Sequence, residues 1–64
     1  MQVEITGLEQ GSLVVEFSVL PREGEYLKIH QDNDIIEAEV ASVTHSVYAN
    51  GQQQQIKIAL KPIN

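Results

Sequence analysis

The sequence predicts an all-β chain: a single five-stranded, strongly bent antiparallel sheet closing into a small barrel, one domain over residues 1–64. Three observations carry that reading. Valine and isoleucine number 7 each against 4 alanines, a composition that suits a pleated, half-buried surface better than a helix. Leu13, Val15, Phe17 and Val19 alternate with Val14, Glu16 and Ser18, so a period of two persists along this stretch. Turn formers at Gly11, Pro21, Gly24, Asp32-Asn33 and Asn50-Gly51 cut the chain into short segments.

Each strand is argued from whether its turn sets apolar residues opposite apolar residues. A first strand over residues 1–8 turns through Glu9-Gln10-Gly11, with Gly11 where such loops need a left-handed residue. That register pairs Ile5 with Val15 and Val3 with Phe17, whereas a two-residue loop sets Val3 against Glu16. Residues 25–30 and 35–40 form a second hairpin with Asp32-Asn33 at its centre. Ile29 then opposes Ile36, Leu27 opposes Ala38, and Lys28 meets Glu37 on the other face. Asn50-Gly51 is the strongest hairpin signal in the chain. It pairs Val43 with Ile58, His45 with Ile56 and Ala41 with Leu60. Gln52 to Gln55 read as the solvated start of the last strand.

One misfit is informative. Ile36, Ala38 and Val40 carry the inward phase, but Val43, His45 and Val47 carry it afterwards. The phase slips by one near Ala41-Ser42, which places a bulge or sharp bend there. The expected core is Val3, Ile5, Leu13, Val15, Phe17, Val19, Leu27, Ile29, Ile36, Ala38, Val40, Val43, Ile56, Ile58 and Leu60.

Composition narrows the function classes. At 64 residues and 7.1 kDa the chain is long enough for one small domain. It has 4 Lys+Arg against 9 Asp+Glu, a net charge of −5, which argues against a phosphate-binding surface. It has no cysteine, so neither disulfides nor thiolate metal sites reinforce the core. No apolar run nears the roughly 18 residues of a membrane helix, and no signal peptide opens the chain. The expectation is a soluble, acidic, cytoplasmic domain without a membrane partner.

Candidate sites are few. His45 falls beside Val43 and Val47 and reads as a hydrogen-bonded histidine at the core edge, while His30 reads as an exposed residue at a strand end. Asp32-Asn33-Asp34 resembles the opening of a calcium loop but lacks the Gly and closing Glu of one, so turn chemistry explains it. The first hairpin's register sets Glu4 directly opposite Glu16, a like-charge pair that a cationic partner or solvent would have to offset. Arg22, the sole arginine, suits either an intermolecular anchor or a solvated pair with Glu23 or Glu25. Val14, Ile35 and Tyr48 fall on outward phases and, with Leu20, suggest an association patch. The candidate interface is therefore Glu4, Val14, Glu16, Leu20, Arg22, Ile35 and Tyr48, with no catalytic, cofactor-binding or metal-binding residues assigned.

Leu20-Pro21-Arg22-Glu23-Gly24-Glu25-Tyr26-Leu27, followed by residues 36–45 and then Ile56-Lys57-Ile58-Ala59-Leu60, resembles the pattern of Src-homology-3-like small barrels. The Leu-Pro-x-x-Gly-Glu-Tyr segment is also similar to one in short bacterial and phage proteins. The resemblance spans residues 20–60 and implies the fold, since that barrel serves peptide binders, nucleic-acid binders and scaffolds alike. Peptide-binding members line their groove with several aromatics. This chain has only Phe17, Tyr26 and Tyr48 and no Trp, so no ligand-site residue carries over.

The functional expectation is a non-enzymatic protein-interaction module that binds a protein partner, itself as a homo-oligomer, or both. A phage or mobile-element inhibitor of a host protein is one concrete form. Two alternatives stand beside it. A nucleic-acid-associated barrel is disfavoured by the dispersal of Arg22, Lys28, Lys57 and Lys61, although Lys57 and Lys61 share a strand face. A small-ligand sink or enzyme would need a subunit interface to supply its cleft.

Overall fold

The computed structural model describes residues 1–9 and 11–63, which form five strands and no helix. They are β1 (Gln2–Thr6), β2 (Leu13–Glu16), β3 (Tyr26–Gln31), β4 (Asp34–Ser46) and β5 (Gln55–Lys61). All five join one sheet in the order β2-β1-β5-β4-β3, curled into a half-barrel. The class is the one the alternation predicts.

The antiparallel expectation needs one correction, because β1 and β5 run parallel. The reason is directional. Consecutive strands here reverse direction, so the first and fifth point the same way, and tertiary folding makes them neighbours. The other three pairings are antiparallel.

The first hairpin has the expected faces in a different register. Val3 opposes Val15, Ile5 opposes Leu13, and Glu4 opposes Val14 rather than Glu16. Glu16 faces Gln2 instead. The shift is two residues, so every side chain keeps its face and the apolar pattern cannot register the difference. The connection is also longer than three residues, spanning residues 7–12 between the strands. Gln10, part of the expected loop, lies outside the described residues. Gly11 does take the left-handed conformation, at φ 101°, and its N–H donates to the Leu8 carbonyl at 3.1 Å.

The second hairpin matches its expected register throughout: Ile29 opposes Ile36, Leu27 opposes Ala38 and Lys28 opposes Glu37. Asp32 turns the chain at φ 53°. In the third, Val43 opposes Ile58 and His45 opposes Ile56, with Asn50-Gly51 at the tip. Leu60, however, opposes Val40 rather than Ala41, because the ladder shifts between Val40 and Ser42. Ala41 is thus the extra residue of the bulge that the phase slip places here. At this bulge β4 passes from its ladder with β3 to its ladder with β5.

Val3, Ile5, Ala38, Val40, Ile58 and Leu60 are buried, and they come from β1, β4 and β5, the three inner strands. Leu8, Leu13, Val15, Phe17, Leu20, Leu27, Ile29, Val43 and Ile56 pack around them, half-buried. Among the described residues no polar side chain is buried. Val19, expected in the core, and Val47, expected on the inward phase, are instead exposed, at 79% and 76%. Both lie past the end of a strand, where alternation no longer aims a side chain at the sheet.

Candidate functional site

A sheet of five strands that does not close leaves two outer strands, and these are β2 and β3. Each pairs on one side only, β2 with β1 and β3 with β4. Their outer sides carry backbone N–H and C=O groups without a ladder partner, the arrangement that templates pairing with another strand. Beside each edge lies a groove.

The first groove arises where β1 and β5 part. Their ladder runs from Glu4↔Lys57 to Thr6↔Ala59, and ahead of it the two strands are unpaired. The gap has a volume of ≈ 750 Å³ and is lined in part by Gln2, Glu4, Val14, Glu16, Gln54 and Ile56. The second, of ≈ 650 Å³, lies along the connection from β2 to β3 and is lined in part by Phe17, Leu20, Arg22, Glu25, Tyr26 and Leu27. That connection is anchored to the bend of β4. The Gly24 N–H donates to the Val40 carbonyl at 2.9 Å, and the Val40 N–H donates to the Glu25 carbonyl at 2.8 Å.

The seven candidate interface residues divide between these features. Glu4, Val14 and Glu16 meet in the first groove, and Leu20 and Arg22 in the second. Ile35, opposite His30 beside the β3–β4 turn, and Tyr48, whose carbonyl accepts from the Gly51 N–H at 3.1 Å, lie in neither. Leu20 is half-buried against the core rather than part of an outward patch, because the β2–β3 connection folds it inward.

The charges sort differently from the expected carboxylate pair. Glu4 stands 3.8 Å from Lys57, its neighbour across the parallel ladder, and Glu16 contacts the Met1 amino group. Two glutamates two rungs apart thus have separate cations. Glu39 pairs with Lys61 at 3.7 Å. These are exposed contacts worth little individually. Arg22 donates its backbone N–H to Glu25 Oε1 at 2.7 Å, while none of the ion pairs among the described residues uses its guanidinium.

His45 is exposed, not at the core edge, one alternation beyond Val43, the last β4 residue packed against the core. Its Nδ1 lies 2.8 Å from Gln54 Nε2 across the β4–β5 arm. His30 is exposed near the end of β3, as its position predicts.

Tyr26 was not singled out by sequence reasoning, yet it sits on the outer strand β3 at 66% exposure and lines the second groove. The signal was present: the register that turns Leu27 inward necessarily turns Tyr26 outward. Gln54 and Ile56 in the first groove carried no such signal, because that gap depends on β1 lying beside β5.

No family model, curated protein or solved structure matches the chain.

Proposed function

We propose that this chain is a non-enzymatic interaction module that associates with itself. The observation that carries the reading is surface area. The chain exposes 4916 Å². A compact monomer of its mass is expected to expose roughly 4,100 Å². The excess of roughly 800 Å² is about what each partner contributes to a standard protein interface. Its origin is structural: one sheet has no second layer to cover its apolar face, so nine core-side residues remain half-buried.

Docking on a host protein, as an inhibitor carried by a phage or mobile element would, is a second form of the same reading. The nucleic-acid alternative loses support from the charge arrangement, since Lys57 and Lys61 stand beside Glu4 and Glu39, and Lys28 lies opposite Glu37.

Light scattering coupled to gel filtration, run across a concentration series, tests the proposal. A mass that rises to a dimer or larger closed assembly is the expected result. A monomer mass at every concentration overturns self-association. Retention on immobilised DNA or RNA that weakens with salt would favour the nucleic-acid reading instead.

A further inference from the structure

The two free edges differ in how they are guarded. β3 carries Lys28 at its middle, and a charged residue, lysine especially, is a common device against edge-to-edge pairing. Two copies of β3 aligned about Lys28 would set like charges directly opposite each other. β2 has the sequence Leu-Val-Val-Glu, with no lysine, proline or bulge. Its outward face presents Val14, at 63% exposure, and its inward face presents half-buried Leu13 and Val15, followed by Phe17 just past the strand.

The backbone on β2 is oriented for pairing. Phe17 and Met1 exchange hydrogen bonds, Phe17 N–H to the Met1 carbonyl at 2.9 Å and the Met1 amino group to the Phe17 carbonyl at 2.8 Å. In an antiparallel ladder such pairs alternate, so Val15 and Leu13 also bond toward β1. Val14 and Glu16 therefore direct their N–H and C=O groups to the free side.

We propose that a second copy of this chain adds to the β2 edge, antiparallel and two-fold symmetric about Val15, so that the two half-barrels form one continuous ten-stranded sheet. This rests on the self-association reading above and specifies its surface and symmetry. In this register Val14 faces the partner's Glu16 as a hydrogen-bonded pair, twice by symmetry. Leu13 faces the partner's Phe17, and Val15 faces its own copy, so these half-buried side chains cover one another across the junction. A one-residue slip would set inward side chains against outward ones. Alignment about Glu16 would oppose two carboxylates, and alignment about Val14 would leave Phe17 opposite Gly11 with nothing apolar to meet. Pairing β2 of one copy with β3 of the other, twice by symmetry, would also close a dimer, and the Lys28→Pro variant below separates the two arrangements, since it would abolish that dimer.

Amide hydrogen exchange on the unaltered chain tests this directly. The Val14 and Glu16 amides are expected to slow by about tenfold or more between dilute and concentrated samples, while Leu13 and Val15 are protected in both. The variant Val14→Pro removes an edge donor without touching the β1 ladder, and is expected to give a monomer mass with an unchanged strand spectrum. Lys28→Pro, its counterpart on β3, is expected to leave the dimer intact. A dimer whose Val14 and Glu16 amides exchange as in the monomer overturns the β2 assignment alone. A chain that stays monomeric throughout overturns the self-association reading as well.

Discussion

At Gly7 a single hydrogen atom separates a folded strand end from a clash. A Cβ built there would lie 2.4 Å from the Leu60 carbonyl oxygen, and the backbone sits at φ +92°. Both facts point to the same consequence, because strain and overlap add. Gly7→Ala is expected to lower stability by about 2 kcal/mol or more, read as a drop in the urea midpoint at constant slope. Asp32 presents the opposite case. It holds φ 53° in an exposed turn, a conformation that costs a side-chain-bearing residue about 1 kcal/mol. Asp32→Gly should therefore raise the urea midpoint or leave it level, and a lower midpoint would mean the Asp32 side chain contributes to the turn. Asp32 was legible in the sequence as a turn residue. Gly7 was not, since the expected first strand ran through it, and only the approach of β5 reveals why no side chain fits.

At the level of the strand, β4 and the first hairpin show what periodicity can and cannot convey. The bulge at Ala41 was legible because a slip of one exchanges inward and outward positions, and the apolar pattern registers it at once. The hairpin's shift of two was invisible because it exchanges nothing between faces. The bulge also carries a prediction. Deleting Ala41 would leave Val40 inward and Ser42 outward in regular alternation, yet remove the bend through which β4 serves both β3 and β5. A loss of about 1–3 kcal/mol in urea unfolding is expected. An unchanged midpoint would show that the bend is dispensable. In the inner strands, Ile58→Ala should cost about 2–5 kcal/mol, because Ile58 is fully buried and the sheet has no second layer able to collapse into the cavity.

For the whole molecule the decisive quantities are net charge and uncovered surface. Two copies at −5 each repel, so salt that screens them should tighten self-association. Sedimentation at low and moderate ionic strength checks this, with a larger dimer fraction expected in the saltier sample. Weaker association with salt would instead indicate that opposite charges hold the copies together. The candidate interface was legible in part at this scale. Val14, Glu4 and Glu16 do converge beside one edge, but Leu20 turns inward, and Ile35 and Tyr48 lie apart from both grooves.

The sequence by itself determined which face of each strand is apolar, where the second and third turns fall, and that the fourth strand carries a bulge. These are local properties, set by a two-residue period and by side chains that tolerate or forbid a backbone angle. Tertiary structure decided which strands become neighbours. It set β1 parallel to β5, gave Glu4 and Glu16 separate cations, and left β2 and β3 as the free edges. The pairing of strands distant in the chain depends on how the whole apolar face curls to cover itself, and no local window of sequence contains that information.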